Sequence, residues 1–228
     1  PNGTAEVHTY LAYYNHWDVW YGTGVLGNAL TTLREAYLYT GDEKYGRIGA
    51  ILTDRVADLY PEMSIEPYFP QFFNSDSTQP NGKVVGAIWE SYLAKNITEA
   101  YDAFFPMMDD PQVLAFLSEK AEKYQMKNPK QTAEQVRQNC EDGILREVWK
   151  ACRSSDIYGN FGMHQSACAE AAVTLDTMPE SREMIDWIFQ TGDRIGVHEV
   201  SGGDVLRQLV NVISRDGLGN ESSPQYSN

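Results

Sequence analysis

The chain has few cysteines and little positive charge. It contains 3 Cys in 228 residues, and its 18 Lys and Arg stand against 32 Asp and Glu, giving a formal net charge of −14 at pH 7. An odd, small number of cysteines without metal-ligand spacing does not suit a disulfide framework or a metal site, so we interpret Cys140, Cys152 and Cys168 as small buried hydrophobic residues. The negative charge argues against nucleic acid and against an anionic membrane surface as partners.

Long apolar runs are also missing. No stretch approaches the roughly 18 apolar residues that a membrane span requires, so we expect no transmembrane helix. The chain starts at PNGTAEVHTY without a secretory signal peptide. We interpret this abrupt start as a cut inside a longer protein.

Helical periodicity is the dominant pattern. Residues 22–39 and 43–60 carry apolar side chains at helical spacing, and between them Gly41 suits a helix C-cap and Asp42 the next N-cap. Almost nothing shows the alternation of a strand. Three further helical pairs are predicted, namely 84–105 with 112–124, 132–152 with 161–175, and 180–190 with 204–214.

Four successive helical hairpins favour a curved array in which each hairpin buries its face on its neighbours. We therefore predict an all-α fold, an incomplete (α/α) toroid that forms a single domain over residues 1–228. The stretch 61–83 is rich in Pro and aromatic residues and lacks periodicity, which is typical of a functional loop or a disordered one. We expect the site on the rim that carries such long loops.

One short stretch, YGNFGMHQSACAEAA from Tyr158 to Ala172, combines Asn160, His164 and Gln165 at the start of an alanine-rich helix. Residues four apart share a helical face, so Asn160 and His164 can converge. The positive helix end disfavours an imidazolium and would keep His164 neutral, while an amide and the first-turn N–H groups can bind a carboxylate. The alternative is an ordinary helix start, with Asn160 as N-cap and His164 as a core histidine.

Several segments resemble the heparinase II/III-like family of polysaccharide lyases. They are NFGMHQSA, the hairpin LREAYLYTGDEKYGRIGAILTDRVADLYPEM, the IWES of the second hairpin, and the closing RDGLGNESSPQY. The resemblance covers most of the chain and corresponds to the helical toroid that precedes a β-sandwich in those enzymes. It implies β-elimination at a uronic acid, in which a base removes the C5 proton and an acid protonates the 4-linked leaving oxygen.

The same resemblance implies roles for single residues. Asn160 and Gln165 match positions near the substrate carboxylate, whose neutralisation stabilises the charge that develops in the transition state. His164 matches the motif histidine, as base or as carboxylate neutraliser depending on the C5 epimer. Tyr226, in the tail 215–228, matches the tyrosine that serves as general acid and in some relatives also as base.

The chain departs from the family pattern in two respects. Some relatives place a glutamate one turn after the histidine, whereas Gln165 to Cys168 contains no acid, which puts glycosaminoglycan specificity in doubt. The β-sandwich is missing from this chain, and with it a further histidine or tyrosine and, in some relatives, a structural metal. We therefore expect no cofactor in this chain, a catalytically incomplete domain, and a periplasmic or secreted location.

Aromatic and acidic side chains supply the predicted substrate contacts. The stretch YYNHWDVWYGTG interleaves aromatic with polar residues and could form sugar-stacking walls, although packing of an N-terminal arm explains it equally well. Residues near the start of the helix at 84–105 could shape the cleft, with core or capping roles as the alternative. The residues predicted to contact substrate are Trp17, Trp20, Tyr68, Trp89, Glu90 and Glu221.

Two other functions stay open. A glycoside hydrolase on a helical toroid needs two facing carboxylates, for which Asp18, Glu90 and Glu221 are conceivable, but no spacing singles out a pair. A non-catalytic glycan-binding scaffold is the third interpretation.

The expected partner, an acidic polysaccharide or oligosaccharide, conflicts with the acidic composition of the chain. A heavily sulfated polymer should be steered by a basic groove, and no cluster of Lys and Arg is visible in the sequence. This favours sparsely sulfated or unsulfated polymers. Folding could still cluster distant cations such as Lys83, Arg153 and Arg215.

Overall fold

The computed structural model describes residues 18–21, 24–67, 82–160, 162–195 and 199–213. These residues are mostly helical, which confirms the predicted all-α class. None of the helices in these ranges has the length and apolar character needed to cross a membrane. The helices are α1 (Val25–Thr40), α2 (Glu43–Leu59), α3 (Ala87–Phe104), α4 (Pro111–Lys123), α5 (Ala133–Cys140), α6 (Glu147–Arg153), α7 (Met163–Leu175), α8 (Glu180–Phe189) and α9 (Val205–Val212).

Shorter elements connect these helices. A 3₁₀ turn at Tyr60–Glu62 ends α2, and another at Phe105–Asp109 follows α3. Two short strands, β1 (Arg194–Ile195) and β2 (Glu199–Val200), pair antiparallel between α8 and α9. They add only a local hairpin to the helical fold.

The caps predicted for the first hairpin are confirmed. Gly41 has a left-handed backbone with φ 66°, and its N–H donates to the carbonyl of Tyr37. The Asp42 carboxylate accepts the N–H of Lys44 at 3.0 Å. Glycine adopts positive φ without strain and aspartate satisfies first-turn donors, so these two residues end α1 and start α2 within a very short turn.

Helix α3 lies at the centre of the packing, in contact with α1, α2 and α7. Its buried face carries Leu93, Ile97 and Phe104, none of which has appreciable solvent exposure. The burial of these apolar side chains stabilises the packing of α3 against its neighbours. α7 then contacts α6 on one side and α8 on another.

The predicted pairing of α3 with α4 is wrong. α4 packs against α2 and the 3₁₀ turn at Phe105–Asp109. A polar contact joins the start of α4 to α2, where Arg47 Nε of α2 donates to Asp110 Oδ2 at 2.8 Å. Asp110 also caps α4 by accepting the N–H of Gln112 at 2.8 Å, so one carboxylate starts the helix and anchors it to α2.

A π-helical segment, Glu141–Arg146, joins α5 to α6. Gly143 within it packs directly on the α2 backbone, because a Cβ built at Gly143 would lie 2.3 Å from the carbonyl oxygen of Ala57. The widened turn and the missing side chain therefore bring the two helices into backbone contact. The prediction for the three cysteines is confirmed, since Cys140, Cys152 and Cys168 are all buried and unbridged.

A buried ionic cluster ties α2 to α4 and to the segment before α5. The ammonium of Lys130 lies 2.6 Å from Asp54 Oδ2 and 2.5 Å from Asp58 Oδ1, and Lys130 is fully buried. Lys120 Nζ of α4 lies 3.3 Å from Asp58 Oδ2, and Asn139 Nδ2 of α5 donates to both aspartates at 3.0 and 3.1 Å. Burial raises the pKa of Asp54, and the Lys130 charge opposes that shift.

Replacing Lys130 with Met should destabilise the fold strongly. The substitution leaves two aspartates without their main counter-charge in a buried site, which costs about 3–5 kcal/mol of unfolding free energy. Chemical denaturation followed by circular dichroism measures the change. The matched control is Lys127→Met, three residues earlier and exposed, for which we expect a change of about 0.5 kcal/mol or less. Equal stability of the two variants would contradict a structural role for the cluster.

Candidate functional site

Helix α7 starts later than the sequence predicts. Its N-cap is Gly162, in a left-handed conformation with φ 87°, and its first residue is Met163. Asn160 lies before the helix, where its backbone carbonyl accepts the N–H of Met163 at 3.0 Å. The predictions that Asn160 is the N-cap and that it shares a helical face with His164 are therefore wrong. The two residues stay close along the chain, but Asn160 belongs to the preceding segment.

His164 lies in the first turn of α7 and carries an uncharged ring. Burial lowers the pKa of His164 to about 4. Part of the residue reaches the surface, whereas Nδ1 has no solvent contact and no hydrogen-bond partner in the described part of the chain. The lowered pKa agrees with the prediction of a neutral imidazole, and its cause is desolvation and not the charge of the helix end.

Gln165 has a structural role. The side chain is buried, and Nε2 donates to the carbonyl of Gly203 at 2.8 Å. Gly203 in turn donates its N–H to the carbonyl of Trp187 in α8. The predicted contact of Gln165 with a substrate carboxylate does not fit this geometry, because the side chain is only 3% exposed and one of its amide N–H groups already binds the chain that precedes α9.

Glu90 also has a structural role, at the start of α3. Its Oε2 accepts the N–H groups of Val84, Val85 and Gly86, each at 2.9 Å, and its Oε1 lies 3.4 Å from the Tyr60 hydroxyl. Burial raises the pKa of Glu90, and the three backbone donors oppose that shift. The carboxylate is fully enclosed, so the predicted substrate contact is wrong and the capping alternative is correct.

The predicted aromatic contacts divide into one buried and one surface residue. Trp20 is buried, with its ring 6.4 Å from that of Tyr60, so it is a core residue and not a sugar-stacking wall. Trp89 is half-buried between Tyr21 and Tyr92, with ring centroids 5.6 and 6.3 Å away. We call Tyr21, Trp89 and Tyr92 the aromatic row. Tyr92 is 49% exposed, so the row reaches the surface.

Helix α3 contacts the segment that leads into His164 through a buried residue. Ser91, between Trp89 and Tyr92 in α3, donates its hydroxyl to the carbonyl of Tyr158 at 3.1 Å. This contact joins α3 to the segment that precedes α7. The remaining predicted residues, Trp17, Tyr68, Glu221 and Tyr226, lie outside the described residues, as does the whole predicted tail 215–228 with Arg215.

The ends of the predicted loop 61–83 are joined at its base. The N–H of Ile65, itself buried, donates to the carbonyl of Gly82 at 3.0 Å. Lys83 is buried, with its ammonium 2.6 Å from Glu147 Oε1 of α6. Lys83 therefore anchors the loop and does not supply the basic groove that was considered for it, while residues 68–81 lie outside the described part of the chain.

The open clefts on the described surface include three that His164 does not line. The first, of about 590 Å³ between α2 and α4, includes Arg55, Lys120 and Lys123. The second, of about 510 Å³, includes Trp149, Arg153 and Trp187, with the Arg153 guanidinium 5.4 Å from the Trp149 ring centre. The third, of about 620 Å³ between α1, α3 and α7, includes Arg34, Thr98 and Glu170.

Sequence reasoning missed the residues of the first cleft, although a signal is present. Lys120 and Lys123 follow Phe116 at spacings of four and seven, which places all three along one side of α4. The contribution of Arg55 from α2 depends on how the two helices pack and has no local signal. The part of the chain that the structure describes holds no group of three or more His, Cys, Asp or Glu that could bind a metal.

Comparison of the chain with protein-family models, with curated proteins and with solved structures gives no match.

We expect the pKa of His164 to lie well below that of an ordinary histidine. Nuclear magnetic resonance of the imidazole groups should show one midpoint near pH 4 in place of 6.5, and His164→Gln assigns that resonance. Histidine in the unfolded chain binds a proton near pH 6.5, whereas His164 in the folded protein binds it only near pH 4. The unfolding free energy should therefore fall by about 3 kcal/mol as the pH is lowered from 6.5 toward 4. A midpoint near 6.5 would show that the ring is open to solvent.

Glu90→Ala should destabilise the fold more than Glu90→Gln. Alanine leaves three buried N–H groups without their acceptor, at about 2–4 kcal/mol, whereas glutamine keeps one oxygen that can accept from them. Denaturant unfolding measures both changes, with exposed Glu122→Ala as the control. Full stability of Glu90→Ala would rule out the capping role.

Proposed function

We propose that this chain is the helical, toroid-like domain of a lyase that cleaves uronic-acid-containing polysaccharide by β-elimination. The resemblance of NFGMHQSA and RDGLGNESSPQY to the heparinase II/III-like family motivates the proposal. The structural observation that supports it is His164 itself, which lies in the first turn of α7 with part of the residue at the surface and with a pKa lowered to about 4 by burial.

The low pKa favours one of the two roles considered for His164. An efficient base has a pKa near the working pH, and a ring with a pKa of about 4 holds a proton weakly. A neutral imidazole can still donate one hydrogen bond to a uronate carboxylate and stabilise the charge that moves onto it when C5–H breaks. We therefore assign carboxylate neutralisation to His164 and proton transfer to Tyr226.

The proposal gives the aromatic row a role as a sugar platform. Trp89 and Tyr92 lie on the same helix as Ser91, which contacts Tyr158 of the segment that carries Asn160. The apolar faces of pyranose rings stack on such side chains, which would hold the polymer across the start of α7. Asn160 stays in the proposed site, whereas Gln165, Glu90 and Trp20 support the fold around it.

The remaining parts of the proposed lyase lie outside the described structure. A β-sandwich following this chain would complete the cleft, and a periplasmic or secreted location would give access to the polymer. The resemblance is the support for both statements. A hydrolase is less well supported, because Glu90 is enclosed and cannot be one of two carboxylates facing a sugar.

A panel of uronic-acid polysaccharides tests the proposal directly with the full gene product. β-Elimination leaves a conjugated double bond that absorbs in the ultraviolet, so cleavage should generate that absorbance on at least one polymer. A hydrolase would shorten the polymer without the absorbance, and a non-catalytic glycan-binding protein would leave it intact. Either result on every polymer that the protein binds would overturn the proposal.

His164→Ala and Tyr226→Phe should each lower turnover by roughly 10²-fold or more, since each removes a group that acts in the transition state. The matched controls are Val173→Ala, exposed on the same helix, and Tyr39→Phe, exposed on α1, which should keep the parent rate. Circular dichroism and thermal unfolding verify that the variants fold. Parent-like rates in His164→Ala and Tyr226→Phe would remove both assignments.

A further inference from the structure

The cleft between α2 and α4 combines positive charge with exposed aromatic rings. We call it the α2–α4 cleft and define it by Arg55 of α2, by Phe116, Glu119, Lys120 and Lys123 of α4, and by Tyr124. Its volume of about 590 Å³ is sufficient for a few sugar rings or a ligand of similar size. Three cations and one carboxylate line it, in a chain whose net charge is −14.

The buried ionic cluster beneath the cleft determines which of these charges can serve a ligand. Lys120 is held 3.3 Å from Asp58, but Lys130 and Asn139 already hold both aspartates of the cluster. Counted together, Arg55, Lys120, Lys123 and Lys130 exceed Asp54, Asp58 and Glu119 by one positive charge. The aspartates are therefore compensated from within the fold.

Arg55 and Lys123 are the cations of the cleft that can bind a ligand. Arg55 lies 3.9 Å from Asp58, at the edge of ion-pair distance, and its side chain is 48% exposed. The ammonium of Lys123 lies 5.1 Å from the ring centre of Tyr124. An arginine fork matches a carboxylate with two parallel hydrogen bonds, and a lysine on a flexible stem can reach a second anionic group.

The aromatic surface indicates more than a simple anion. Phe116 is 51% and Tyr124 64% exposed, beside the two cations. An inorganic anion such as sulfate has no apolar face that can stack on these rings, whereas an acidic sugar presents both a carboxylate and an apolar ring face. The combination of cation and stacking surface is the chemistry that recognises uronic acids.

We propose that the α2–α4 cleft is a second binding site for acidic oligosaccharide, separate from the start of α7. Arg55 and Lys123 bind carboxylates of the chain, and Phe116 and Tyr124 stack on its rings. The identity of the polymer as a uronate rests on the proposed function, but the site itself rests on charge and aromatic exposure. It would hold a long substrate while another part is at His164.

Methyl resonances of methionine provide a local probe, because Met126 also lines the cleft. The full gene product is labelled at its methionine methyl groups, and Met126→Leu assigns the resonance. The protein carries Tyr226→Phe so that no ligand is consumed. Titration with a glucuronate or mannuronate tetrasaccharide should shift the Met126 signal, while the carboxyl-reduced, neutral tetrasaccharide and inorganic sulfate should not at the same concentration.

The double variant Arg55→Gln, Lys123→Gln should weaken that binding at least tenfold, and Tyr124→Ala should weaken it as well. The matched control Lys127→Gln removes a neighbouring exposed cation and should bind as the parent does. Unchanged affinity in the double variant, or an equal response to the neutral sugar or to sulfate, overturns the proposal. The readout does not use turnover, so a protein that proves not to be a lyase can still confirm or refute this site.

Discussion

The described structure depends on one buried interaction, the pairing of the Lys130 ammonium with Asp54 and Asp58. Buried charges are stable only when their partners lie in good geometry, and here the distances of 2.6 and 2.5 Å meet that condition. Because the aspartates belong to α2 and their partners come from α4, α5 and the segment before α5, the pairing sets the positions of these elements. The α2–α4 cleft lies between two of these elements, so its shape and its excess of positive charge depend on that arrangement. Stability and the proposed second site thus share one origin.

A second buried polar group organises the other end of the molecule. Glu90 collects the backbone N–H groups of 84–86, and Lys83 bonds to Glu147, so the chain that returns from residues 68–81 is fixed to α3 and α6. Gln165 fixes the segment before α9 in the same manner. These residues look like site chemistry in the sequence because they are polar among apolar neighbours. Each of them makes hydrogen bonds that hold segments of the fold together.

Local signals predicted the helices and the all-α class, whereas contacts between distant residues were beyond them. Apolar spacing and the caps at Gly41 and Asp42 predicted the first two helices to within a few residues, because periodicity and capping are properties of the local chain. The packing of α4 against α2 includes a contact between Arg47 and Asp110, which are 63 residues apart and carry no shared local signal. The start of α7 was misplaced because Gly162 adopts a left-handed conformation that spacing does not reveal. Burial of Trp20 and Glu90 depends on what covers them, and the sequence holds no local record of that.

The acidity of the chain and the acidity of its proposed ligand are compatible once charge is considered locally. At physiological ionic strength the field of a surface charge decays over about 8 Å, so a net charge of −14 spread over the whole chain has little influence inside a cleft with its own cations. A carboxylate at the α2–α4 cleft would meet Arg55 and Lys123, and a carboxylate at the start of α7 would meet the ring of His164. The protein would still lack long-range attraction for an acidic polymer, so association would be slow, and tight binding would require slow dissociation. Two separate binding sites on the protein for the same polymer would slow dissociation, because a polymer that leaves one site stays bound at the other.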